Sequence, residues 1–147
     1  MNFTKPQYII IHHSLTKDSE TVSWQAIRKY HLSLGWNDIG YHYGIELVND
    51  QYEILVGRME GEIGAHTKDK NLDSIGICCV GNYDERPPNS NMLTALSKLC
   101  ISLSLRYHIS IENIKGHNEY APWKTCPGKA FPLITLQQDL MASLRYS

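Results

Sequence analysis

Net charge is almost absent from this sequence: 14 Lys and Arg stand against 15 Asp and Glu, a formal −1. No run of Lys or Arg gathers the positive charges, so neither nucleic acid nor a membrane is expected as a partner. Long hydrophobic runs are missing too. Met1 to Gln7 is polar, and the apolar run that follows, Tyr8 to Ile11, is far too short for a signal-peptide core or a membrane span. The expectation is a monomer, cytoplasmic as synthesised. Cysteine is limited to Cys78, Cys79, Cys100 and Cys126. The adjacent pair falls on an expected strand and points to opposite faces, so no small secreted disulfide framework is suggested. Cys78, Cys79 and Cys100 read as apolar packing. Internal repeats and low-complexity tracts are also lacking.

The 147 residues, 42% of them hydrophobic, suffice for one domain with a real core. Tyr8 to Ile11 is short, apolar and rich in strand formers, and reads as a buried strand. Trp24, Ile27, Tyr30, His31 and Leu34 lie at helical spacing, so a helix is expected from about Thr21 to Leu34, ended by Gly35. Gly40 to Val48 and Tyr52 to Val56 read as strands joined by a turn at Asn49-Asp50. Ser74 to Asn82 is apolar on both faces and reads as a central strand. After Pro87-Pro88, Met92, Leu96, Leu99, Cys100, Leu103 and Tyr107 form a second helical stripe. Leu133, Leu136, Leu140 and Leu144 form a third after Pro132. Lys115 to Phe131 reads as irregular. The fold class is α/β: a single domain, residues 1–147, with a central mixed β-sheet flanked by about three helices.

The histidines carry the chemical signal. His12 and His13 end a hydrophobic strand, where side chains emerge at the rim of a sheet, and His117 and Cys126 sit in the irregular stretch. Strand ends and loops held by a rigid sheet are where sites are built. A thiolate with imidazoles suits Zn²⁺, and three protein ligands leave a fourth position for water, as in a catalytic site.

Six segments, in order, carry a resemblance. They are Ile9-Ile10-Ile11-His12-His13-Ser14; Gly35-Trp36-Asn37-Asp38-Ile39-Gly40-Tyr41-His42-Tyr43; Gly57-Arg58; Gly64-Ala65-His66; Ser74-Ile75-Gly76-Ile77 running on to Val80-Gly81-Asn82-Tyr83; and Gly116-His117 followed by Ala121-Pro122 and Lys124-Thr125-Cys126-Pro127-Gly128. Over roughly residues 8–128 the chain resembles the type 2 N-acetylmuramoyl-L-alanine amidase family, which includes bacteriophage lysozyme amidases and animal peptidoglycan recognition proteins. The resemblance implies a peptidoglycan recognition protein-like fold and one Zn²⁺ held by His12, His117 and Cys126. It implies Tyr41 and Lys124 as catalytic residues, and peptidoglycan or its muropeptides as the partner. The implied reaction is hydrolysis of the amide between the lactyl group of N-acetylmuramic acid and L-alanine. Lys124 can donate to the developing oxyanion, and Tyr41 can orient water or donate in the same step.

Further implications concern the substrate. His66 is expected to line its groove. Arg58 either meets a stem-peptide carboxylate as a bidentate fork or pairs with a nearby Glu. The Gly35-Trp36 pair occurs in relatives that prefer meso-diaminopimelate walls, and Trp36 can pack on the methylenes of that residue. His42 follows Tyr41 on an expected strand and should point away from it. Cytosolic recycling amidases carry Glu where this chain has Cys78, and Asp as third ligand where it has Cys126. Both departures favour the phage and recognition-protein branch. Some recognition proteins have Ser at the ligand Cys and bind without cleaving; Cys126 and Lys124 speak against that here. The expected setting is a phage or prophage endolysin that acts on the wall after release.

Overall fold

The computed structural model describes residues 5–15 and 24–145. Its centre is a five-stranded sheet in the order β3-β2-β4-β1-β5, with β1 at Tyr8–His13, β2 at Tyr43–Val48, β3 at Gln51–Val56, β4 at Ser74–Cys79 and β5 at Ile114–Gly116. β1, β2, β4 and β5 run parallel, and only β3 is antiparallel, so the sheet is mixed. The helices are α1 (Trp24–Ser33), α2 (Ser90–Tyr107) and α3 (Leu133–Arg145). Residues 21–23 of the expected first helix lie outside the described residues.

Each element has a local cause. β1 and β4 are paired on both sides and covered on both faces, which is why they read as unbroken apolar runs. Asn49 and Asp50 both take positive φ (50° and 68°), which suits a tight β2–β3 turn. The Asn89 side chain caps α2 by accepting the Asn91 N–H at 2.8 Å, just after the Pro pair. Met92, Leu96, Cys100 and Leu103 are its buried stripe.

The two faces of the sheet differ. Ile9, Ile11, Ile45, Ile75, Ile77 and Cys79 pack with α2 and α3 into the main core. Alternation places Ile10, His12, Ser74, Gly76, Cys78 and Gly44 on the other face. That face is mostly small residues, so rings and loops lie close against it. A Cβ on Gly44 would fall 2.3 Å from the Trp24 ring. Cys78 joins Trp24 and Ile39 in a second cluster there, while Cys79 belongs to the main core, as opposite faces require.

Three expectations are corrected. β2 begins at Tyr43, not Gly40. The backbone at Tyr41 and His42 is instead hydrogen-bonded across to Arg58, Gly57 and Gly76, so Tyr41 precedes the strand. β4 ends at Cys79, where Val80 makes one more bond to Ile45 and Gly81 turns away at φ 151°. The stretch expected to be irregular contains β5, three residues that complete the edge beside β1. Among the described residues, no helix is long and apolar enough to cross a membrane.

Candidate active site

His12 stands near the end of β1 on the small-residue face and is 1% exposed. His117 is the first residue after β5, where the chain turns through His117–Glu119. Cys126 arrives from the turns that follow. Gly116 makes room for it, since a Cβ there would lie 2.7 Å from Pro127 Cδ. The Asn118 N–H then donates to the Cys126 carbonyl at 2.8 Å, tying the two loops together. Asp84 holds the far side, accepting the Thr125 hydroxyl at 2.9 Å and the Lys129 N–H at 2.8 Å. As a result, one donor atom each from His12, His117 and Cys126 lies within 4.8 Å of the others. His12 Nδ1 is 3.7 Å from Cys126 Sγ, and the His12 and His117 rings are 4.5 Å apart.

Burial sets the protonation of this group. It pushes His12 well below its ordinary pKa, with His66 and His117 adding to the effect. His117 is lowered to about 4, by burial and then by the Lys124 ammonium. Cys126 is raised to about 11 by burial, against the pull of the His13 N–H, which donates to its sulfur at 3.4 Å. The chain thus presents two neutral imidazoles and a thiol at one point. That donor set fits a borderline-soft divalent cation: neutral imidazole has its lone pair ready, and a thiol beside a cation ionises.

The Tyr41 ring lies 5.1 Å from that of His12. Burial and the neighbouring Cys78 and Cys126 raise its pKa well above the ordinary value, so its hydroxyl stays protonated and able to donate. Lys124 is exposed, and its charge acts on His12, His117 and Cys126. A groove of about 490 Å³ runs past the site, with Trp36, His66, His117, Tyr120, Trp123 and Lys124 in its walls.

The amidase family matches residues 2–129 under the description N-acetylmuramoyl-L-alanine amidase. The chain belongs to that family. It is 35% identical over 124 residues to the endolysin of Escherichia phage T7, covering 81% of this chain and 78% of that one. The endolysin amidase LysCS of Clostridium intestinale has a similar structure, with TM-score 0.82 at 29% identity over 92% of this chain and 84% of that one. A Drosophila PGRP-LB mutant in complex with tracheal cytotoxin is similar at TM-score 0.75 and 31% identity, over 89% of this chain and 80% of that one.

Within this amidase, the residues singled out from sequence are distributed unevenly. Trp36, His66, His117 and Lys124 line one groove; His12 and Cys126 converge on His117 behind its wall, and the Tyr41 ring lies beside His12. Arg58 is not among the groove residues. Its Nε, Nη1 and Nη2 donate to the carbonyls of Ile39, Ile63 and Asp38 at 3.0, 2.8 and 3.4 Å, so its fork is engaged by backbone rather than by a Glu. His42 is fully buried; Nε2 meets the Glu62 carbonyl at 2.7 Å, and Nδ1 accepts the Gly76 N–H at 3.0 Å. His13 turns to the opposite face from His12 and accepts the Tyr83 N–H at 3.1 Å. Sequence reasoning missed Tyr120 and Trp123. Trp123 is 79% exposed and lines the same groove as Tyr120. It also missed His31, which accepts the Gly40 N–H at 2.9 Å and packs its ring 4.5 Å from that of Trp36.

Proposed function

We propose that this chain is a zinc-dependent amidase that hydrolyses the bond between the lactyl group of N-acetylmuramic acid and L-alanine, and that it serves a phage as an endolysin. The observation that carries the proposal is the convergence of His12, His117 and Cys126 on one point, with His117 also lining a groove. Similarity to phage endolysins and to a recognition protein bound to tracheal cytotoxin supports the substrate class.

His12, His117 and Cys126 would hold the ion. When bound, Zn²⁺ supplies a Lewis acid that polarises the scissile carbonyl and acidifies water. Hydrolysis adds water across the amide C–N bond, leaving a lactyl carboxylate and the free α-amine of L-alanine. Negative charge builds on the carbonyl oxygen on the way. The Lys124 ammonium at the groove is positioned to stabilise it, and the protonated Tyr41 hydroxyl is a second donor beside the His–Cys group. Trp36 and His66, as groove walls, contact the stem peptide. The Trp36 face suits the methylene chain of a diaminopimelate residue.

The test is digestion of purified cell walls followed by mass spectrometry of the fragments. New N-terminal alanine on stem peptides and intact lactyl groups on the glycan are expected. Chelation abolishes the release and added Zn²⁺ restores it. Full activity in a metal-free preparation overturns the metal assignment; zinc binding without any cleavage makes the chain a recognition module.

A further inference from the structure

Beneath His12 runs a chain of buried hydrogen bonds in which one arrangement of hydrogens fits two neutral imidazoles, the form that burial favours for both rings. Ser74 Oγ lies 2.5 Å from the Lys70 carbonyl oxygen, and a carbonyl can only accept. The single hydroxyl hydrogen of Ser74 is therefore spent on Lys70. His66 Nε2 lies 3.3 Å from the same Oγ, which is left to accept, so Nε2 carries the hydrogen of the His66 ring. A neutral imidazole has one hydrogen, so His66 Nδ1 is bare. That bare nitrogen lies 3.0 Å from His12 Nε2 and 2.9 Å from Thr67 Oγ1. His12 Nε2 in turn must hold the hydrogen of its own ring, with Thr67 Oγ1 at 3.2 Å as a second acceptor. His12 Nδ1 is then a free lone pair, and it is the nitrogen that faces Cys126 Sγ at 3.7 Å.

We propose that His66, locked by Ser74 and the Lys70 carbonyl, is a positioning residue that fixes the tautomer and ring orientation of His12 and so keeps His12 Nδ1 ready for a metal. The proposal rests on the zinc reading above but assigns work to residues outside the ligand set. Packing supports it independently of the hydrogen bonds. The His66 ring is clamped between two glycines: a Cβ on Gly76 would sit 2.5 Å from its Cγ, and one on Gly64 2.6 Å from its Cδ2. Both rings are almost wholly buried, at 1% and 9% exposure. The ring centroids are 5.0 Å apart and the planes stand at 89°, an edge-on contact suited to a directed N–H···N bond. Ligand histidines commonly donate their second N–H to a carboxylate or carbonyl. Here a second histidine passes that bond on to a backbone carbonyl, and the relay contains no carboxylate, so Cys126 supplies the negative charge of the ligand set.

Two measurements test this. In metal-free, ¹⁵N-labelled protein, long-range ¹H–¹⁵N spectra should show His66 and His12 each protonated on Nε2 and bare on Nδ1. Ser74→Ala removes the hydroxyl acceptor and keeps only the main-chain contact of residue 74 to His66, so the Nε2–H share of the His66 pattern should fall. Zinc affinity, read by competition with a chromogenic chelator, should fall about tenfold in Ser74→Ala and further, toward a hundredfold, in His66→Leu. His66→Asn should recover most of the loss, because its amide oxygen can accept near the Nδ1 position, which a purely space-filling role would not predict. A hydrogen on His66 Nδ1 in the wild type, or equal zinc affinities for His66→Asn and His66→Leu, overturns the proposal. A wild type that binds no zinc would end the metal reading instead, while the spectra would still decide the tautomer.

Discussion

Asp84 touches none of the catalytic candidates, yet it should control how firmly Cys126 is held. Its carboxylate accepts the Thr125 hydroxyl on one oxygen and the Lys129 N–H on the other, spanning the turn that contains Cys126. Those bonds hold its pKa below the ordinary 3.8. In a dry site, bonds to a charged acceptor contribute about 1.5–3 kcal/mol each. Asp84 is open to water, so about 0.5–1 kcal/mol each is the appropriate scale. Asp84→Ala should then lower stability by about 1–2 kcal/mol and Tm by about 2–8 °C in a chain of this size. The turn keeps its bonds from Ala130 to Tyr83 and from Asn118 to Cys126, both 2.8 Å, so it loosens rather than unfolds. Zinc affinity should drop about tenfold, the scale seen when support for a ligand is removed. Because the folded pKa is depressed, the stabilisation is full above about pH 4 and is lost as pH falls through the folded value. The Tm gap between wild type and variant, measured by calorimetry, should therefore be widest near neutrality and close as pH falls through the folded value. An unchanged Tm together with an unchanged zinc affinity would refute the reasoning.

Tyr41→Phe and Lys124→Ala should each lose on the order of a hundredfold in turnover of muropeptides while retaining zinc, since each removes a donor to the developing oxyanion and neither is a ligand; wild-type turnover in either would remove that residue from the mechanism. Arg58→Ala should reduce stability by about 2 kcal/mol, because three backbone carbonyls lose their donor. Its activity should fall equally on diaminopimelate and lysine walls, and a loss confined to diaminopimelate walls would instead return Arg58 to the substrate. The wild type should release peptides faster from diaminopimelate walls, and Trp36→Ala should erase that preference; equal rates from the two walls in the wild type would end the idea.

What was legible in advance follows from where the specifying interactions lie. β1 and β4 are sequence-local signals: unbroken apolar runs that need cover on both faces, which the helices and loops supply. The stripes of α2 and α3 are equally local. The errors fall where a segment's state depends on distant partners. Tyr41 and His42 have the composition of a strand, but their backbone is claimed by Gly57, Arg58 and Gly76. β5 is three residues long and exists because β1 offers it an edge. Arg58 is read through the family resemblance as meeting a stem-peptide carboxylate or a nearby Glu, and nothing in its own neighbourhood of sequence announces the three carbonyls it meets.

The support beneath His12 shows how far a local signal can go. Along β4 the residues facing the main core are Ile75, Ile77 and Cys79, while those facing the other way are Ser74, Gly76 and Cys78. Glycine inside a buried central strand weakens it, so its presence implies that something approaches closely. That much can be read from the sequence, and the structure supplies the occupant: the ring of His66 lies on Gly76. The identity of the ring is set ten residues earlier, by a loop whose fold depends on Asn71, whose side-chain oxygen accepts the N–H groups of both His66 and Thr67 at 2.8 Å. An asparagine in a loop is too common to point to such a bracket by itself. Once the bracket closes, the hydrogen-bond order proposed from Lys70 through Ser74 and His66 to His12 follows from valence and the neutrality of the two buried rings. The candidate ligands are therefore readable as a motif, whereas the proposed arrangement of their hydrogens depends on a loop that only the folded chain brings beneath them.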